Sequence, residues 1–90
     1  MSVKINIHPV LHHFTDDQDI VKVDGNTVGE CLGELVARFP QIEKGLFGKN
    51  GKLLNYVEIY INGQSAYPDE LAKPVKDRDE IHIIIMLAGG

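Results

Sequence analysis

A single cysteine, Cys31, stands in a chain of 90 residues. That rules out an internal disulfide framework and any zinc or iron–sulfur site built on four thiolates. No apolar run approaches the roughly 20 residues of a membrane span, and the first residues lack the cationic-then-apolar pattern of a secretory signal. A cytoplasmic protein with no membrane contact is therefore expected. Lysine and arginine number 9 against 13 acidic residues and are nowhere clustered. With no Cys/His finger spacing either, nucleic acid is not expected as a partner. Also missing are a phosphate-cradling glycine loop, a serine–histidine constellation and paired carboxylates at a definable spacing. The chain does not read as an enzyme.

What remains is an ordinary soluble composition, 43% hydrophobic and 24% charged with a net charge of −4. It suffices for one domain with one modest core. The acidity favours a basic docking surface on a partner. Val3 to His8 alternates apolar and polar residues, the mark of a half-buried strand, and Pro9 ends it. Val10 to Asp17 reads as a loop, and Ile20 to Val23 as a second strand of the same hairpin. After turn chemistry at Asp24-Gly25-Asn26, Thr27 stands as a helix N-cap with Glu30 three residues on, the capping-box pattern. Val28, Cys31, Leu32, Leu35, Val36 and Phe39 then follow the spacing of one helix face, which Pro40 closes. Cys31 lies inside that stripe and so reads as a buried small hydrophobe rather than a reactive thiol. Gly33 lowers helix propensity with no compensation visible in the sequence.

The stretch from 41 to 54 is irregular, with apolar anchors at Ile42, Leu46, Phe47, Leu53 and Leu54. Tyr56 to Ile61 alternates again and ends in Asn62-Gly63, a hairpin signal, with a short edge strand over 64–66. Residues 67–71 are loop-like, and 74–80 form a charged turn into the most hydrophobic run of the chain, Ile81 to Leu87. Strand, strand, helix, crossing, strand, short strand, strand is the order of an α+β fold. A whole crossing separates the first and last strands, so they can pair in parallel. The prediction is a ubiquitin-like β-grasp: a mixed four- to five-stranded sheet with one main helix across one face, spanning residues 1–87. Val3, Ile5, Ile7, Val57, Ile59, Ile61, Ile81, Ile83 and Ile85 would face the helix.

On the opposite sheet face this order places Glu58, Tyr60 and Asn62 beside His82, Ile84 and Met86. Tyr60, Ile84 and Met86 would make an apolar patch, and such a patch marks a contact surface unless the loop after Pro68 folds over it. The four histidines, above all His8, His12 and His13, invite a metal reading. Two of them sit in the expected loop with no acidic partner at a recognisable spacing, so no metal site is expected.

The last core strand runs straight into Leu87-Ala88-Gly89-Gly90. Residues 88–90 read as a flexible, exposed tail. Glycine is also what a fraying end carries, so the pair gains weight only from the rest of the chain. Without a Cβ the backbone can lie in a narrow channel and offer its carboxylate to another protein's active site. Extended, residues 87–90 reach about 13 Å. A carboxylate needs activation before it can do chemistry, and acyl-phosphate chemistry with ATP is the common route.

Several segments together resemble the small sulfur carrier proteins of the MoaD/ThiS family, nearest to the MoaD or CysO kind. They are residues 25–30 opening the helix, Arg38-Phe39-Pro40 closing it, Val57 to Gly63, Pro74 to Ile81, and Leu87-Ala88-Gly89-Gly90. The resemblance implies that a ubiquitin-activating-type enzyme (MoeB/ThiF-like) uses ATP and Mg to adenylate Gly90. A sulfur donor then leaves a thiocarboxylate there. Gly89 and Gly90 match the family's tail. Tyr60, Ile84, Met86, Leu87 and Ala88 would bind the activating enzyme and a sulfur acceptor, such as a synthase large subunit in molybdenum-cofactor or cysteine biosynthesis. The chain alone would be monomeric and bind no cofactor of its own. One departure is Ile85, where many relatives carry proline; isoleucine lets the strand run further. The main rival is a ubiquitin-like modifier, with the activated Gly90 spent on lysine amines. A plain interaction module with incidental glycines is the third reading.

Overall fold

The computed structural model describes residues 2–86. The alternating segments form the sheet. β1 (Val3–Asn6) and β2 (Ile20–Val23) pair antiparallel, with Ile5 opposite Val21. β3 (Val57–Ile61) and the two-residue β4 (Gln64–Ser65) make a second hairpin through Asn62-Gly63, both at positive φ. β5 (Glu80–Ile85) lies between β1 and β3, parallel to the first and antiparallel to the second. The strand order is β2-β1-β5-β3-β4. This is the expected mixed sheet, with the last strand at its centre.

α1 (Val28–Arg38) buries Val28, Cys31, Leu32 and Leu35 completely against the sheet. Of the nine sheet residues expected beneath it, eight are buried; Ile61, at the hairpin end, is partly covered. The Thr27 side chain accepts the Glu30 N–H at 3.1 Å, as the cap pattern predicts. Glu30 reaches one residue further back than the capping box requires and accepts the Asn26 N–H at 2.9 Å. Thr27 lies in a bridge to Pro74, where the Val28 N–H bonds Lys73 O and the Val75 N–H bonds Asn26 O. The helix start is thus bonded to the chain leading into β5.

The structure corrects two expectations. Residues 9–14 form a 3-10 helix (Pro9–Phe14) rather than a loop. The His8 side chain accepts the Val10 N–H at 3.1 Å, proline takes the first position, and Leu11 is buried. The irregular crossing contains a 3-10 turn (Pro40–Ile42) and one short helix, α2 (Glu43–Leu46), which carry Ile42 and Leu46 into the core.

Three glycines differ in what they permit. A Cβ on Gly25 would sit 2.9 Å from both the Cys31 amide nitrogen and its Sγ, and one on Gly29 would sit 3.0 Å from Leu71 O. Close approach, rather than turn flexibility, explains both. At Gly33 an added Cβ meets nothing within 4 Å. Gly33→Ala should therefore stabilise the chain by about 0.5–1 kcal/mol by restricting the unfolded backbone. That is a Tm rise of about 2–8 °C in a thermal melt; an unchanged or lower Tm would show that the helix needs glycine there.

Candidate functional site

The two-residue period of β5 separates its side chains cleanly. Ile81, Ile83 and Ile85 point into the core, whereas His82, Ile84 and Met86 point to the open face. In the register with β3, Glu58 lies opposite Ile84 and Tyr60 opposite His82. Tyr60 and Ile84 are half-buried and Met86 is 52% exposed. The structure thus brings three of the five expected docking residues, Tyr60, Ile84 and Met86, onto one face. Tyr56 joins them: its carbonyl accepts the Met86 N–H at 2.7 Å and its side chain is 45% exposed. The alternation beginning at Tyr56 already carried that signal, though Tyr56 was not among the expected docking residues.

The loop after Pro68 does not cover this patch. A 3-10 turn at Glu70–Ala72 takes Leu71 to Gly29 of α1, on the helix side of the sheet. Ile85 lets the strand run to its end as expected, and the Met86–Tyr56 bond carries the pairing one residue further. Leu87, Ala88, Gly89 and Gly90 lie outside the described residues.

Polar side chains give the face a charge pattern. The Tyr60 hydroxyl donates to Glu58 Oε1 at 3.2 Å. That bond, and then the charge of the same carboxylate, pushes the phenol pKa up, so Tyr60 stays a neutral donor. Asn6 donates to Glu80 Oε1 at 3.4 Å, and His82 Nε2 lies 3.8 Å from the same oxygen. At the far end of β5, Asp79 accepts from Asn62 Nδ2 at 3.0 Å and from the Lys76 N–H at 2.7 Å. The Asn62 bond is the larger reason its carboxyl pKa is lowered. Asn62 Oδ1 in turn accepts the Glu80 N–H at 3.0 Å, fixing where the central strand begins.

The other candidates fall into structural roles. Cys31 is fully buried, and burial, followed by the charges of Glu30, Glu34 and Asp24, pushes its thiol pKa up, away from the reactive thiolate. His12 donates from Nε2 to Ile7 O at 2.8 Å, and His8 is engaged at the start of the 3-10 helix. Among the described residues no three His, Cys, Asp or Glu side chains converge on a point that could hold a metal. No helix among them is long and apolar enough to cross a membrane.

The family model described as the ThiS family matches residues 7–90, from the end of β1 through the terminal glycines. The chain belongs to the ThiS family. The sulfur carrier protein CysO of Mycobacterium tuberculosis is 31% identical to this ThiS-family chain over 93 aligned positions covering both chains completely. The small archaeal modifier protein 1 of Haloferax volcanii is 34% identical over 71 positions, 78% of each chain. In structure, a chain of the Amycolatopsis orientalis BexX/CysO complex superposes with a TM-score of 0.88 at 28% identity, covering 98% of this chain and 99% of that one. These relatives put the protein in the ubiquitin-like class of small protein carriers and modifiers, whose members are carriers or modifiers rather than catalysts.

Proposed function

We propose that this protein is a cytoplasmic sulfur carrier whose Gly90 carboxylate is adenylated and then converted to a thiocarboxylate. The full-length similarity to CysO carries the reading. The open face supports it: an apolar patch of Tyr56, Tyr60, Ile84 and Met86 leads along β5 towards the C-terminus. A ubiquitin-activating-type enzyme supplies ATP and Mg; the carrier binds neither. The carboxylate oxygen attacks the α-phosphorus of ATP and releases pyrophosphate. Sulfide then attacks the acyl carbon and AMP leaves; a persulfide donor gives an acyl disulfide instead, which a second thiol of the donor cleaves to the thiocarboxylate as the donor forms a disulfide. The thiocarboxylate is anionic at neutral pH and a soft nucleophile, suited to delivering sulfur inside an acceptor enzyme. That acceptor belongs to cysteine synthesis or to cofactor synthesis of the molybdopterin type; the CysO likeness favours the former.

Intact mass after incubation with a ThiF- or MoeB-type enzyme, Mg-ATP and sulfide tests the reading. The expected product is about 16 Da heavier, sulfur replacing oxygen. AMP release without that gain would sink the carrier reading. The second reading, a modifier conjugated through Gly90 to lysine amines, is favoured by the likeness to the archaeal modifier. It predicts ladders on a denaturing gel in place of the mass gain, because the same adenylate meets an amine.

A further inference from the structure

The open face does not end at β3. Around the outer edge of that strand lies a groove of about 800 Å³, with one bank from residues 52–55 and the other from Ser65 and residues 67–72. Its polar lining is lopsided: Glu58, Asp69 and Glu70 stand against Lys52 alone. Among the described residues, neither Asp69 nor Glu70 has an ion-pair partner. Tyr67 stands in the lining at 75% exposure, more than any other large hydrophobic side chain described. An exposed aromatic beside two carboxylates that have no ion-pair partner among the described residues is a good seat for a planar cation. A guanidinium can stack on the ring and fork a carboxylate together, which a lysine ammonium does less well.

The groove and the patch are continuous. Glu58 and Tyr60 line the groove and also stand on the open face, opposite Ile84 and His82. A protein seated over Ile84 and Met86 therefore overhangs the strand edge. We propose that this groove receives an arginine side chain of the partner that docks on the open face, and that Tyr67, Asp69 and Glu70 determine which partners fit. The inference rests on reading the open face as a docking surface, and it is independent of the chemistry at Gly90.

Titrating the 15N-labelled full chain with acetyl-Leu-Arg-Leu-amide tests it. The same peptide with citrulline, the neutral near-isostere, or with lysine in place of arginine provides the controls. Amide shifts are expected at Glu58, Tyr60, Tyr67, Asp69 and Glu70 with the arginine peptide. Affinity should fall roughly three- to tenfold with citrulline, and as much with the D69N/E70Q chain, as expected for losing two solvent-exposed charge contacts. Tyr67→Ser should weaken the arginine peptide and leave the citrulline peptide nearly unchanged. Equal affinity for the arginine and citrulline peptides, or for the arginine and lysine peptides, overturns the proposal. So do shifts confined to other surfaces, or concentration-dependent shifts at the groove amides without peptide, which would give the groove to a second copy. None of these readouts needs an activated C-terminus, so failure here leaves the mass test standing, and failure there leaves this one.

Discussion

Ile83→Asp should abolish folding, whereas Ile84→Asp, one residue along the same strand, should leave the fold intact and remove the partner. Ile83 is 1% exposed in the core between sheet and helix. Truncating a buried isoleucine costs about 2–5 kcal/mol, and an unpaired carboxylate in its place adds a desolvation penalty of several more. A domain of 90 residues has only roughly 5–13 kcal/mol in total, so the cooperative melt should disappear. Ile84 faces the opposite side, half-buried among Glu58, Tyr60 and Met86. There an aspartate can reach water, and the stability change should stay within about 1 kcal/mol. A charge at the centre of an apolar contact should cost binding on the scale of an interface hot spot, roughly 30-fold or more. The checks are circular dichroism for both variants, and ATP–pyrophosphate exchange at varied carrier concentration for Ile84→Asp. Unchanged exchange by a folded Ile84→Asp chain would remove the open face from the docking scheme.

The contrast between those neighbours was legible in the sequence because a strand writes its two faces with period two. Val3 to Ile7, Val57 to Ile61 and Ile81 to Ile85 each carry that period, and Val28 to Phe39 carries the helical one, so sheet, helix and patch could all be placed. Short elements write no period. The 3-10 helix at Pro9–Phe14 shows only Leu11 and Phe14 at its spacing, and α2 is a single turn containing Gly45. The reason for that glycine is long-range: a Cβ there would sit 3.0 Å from Leu11 Cδ2 and 3.3 Å from the Phe14 ring. Gly25 illustrates the same limit, since its residue type suits a turn while its cause is the crowded first turn of α1. The groove beside β3 was illegible for a related reason. It depends on residues 65–72 passing to the helix side, where Leu71 meets Gly29, and no local pattern specifies that path.

Deleting Gly89 and Gly90 should give the largest functional loss with no loss of stability. Among the described residues the strands, the main helix and the core run from Val3 to Ile85, and a glycine has no side chain to bury, so Tm should match the full chain. The deletion withdraws the carboxylate by about 7 Å of extended chain. A misplacement of about 1 Å at a reacting centre already costs on the order of 100-fold, so exchange should fall to background. It also gives the terminal position to Ala88, whose Cβ a channel shaped for bare backbone has no room to accept. Binding through Tyr60, Ile84 and Met86 should survive, so the shortened chain should compete with the full one for the activating enzyme. That pairing of lost exchange with retained competition separates the readings. A carrier and a modifier both require it, because both begin with the same acyl-adenylate. A plain interaction module predicts retained binding with no exchange to lose, in the full chain as in the shortened one.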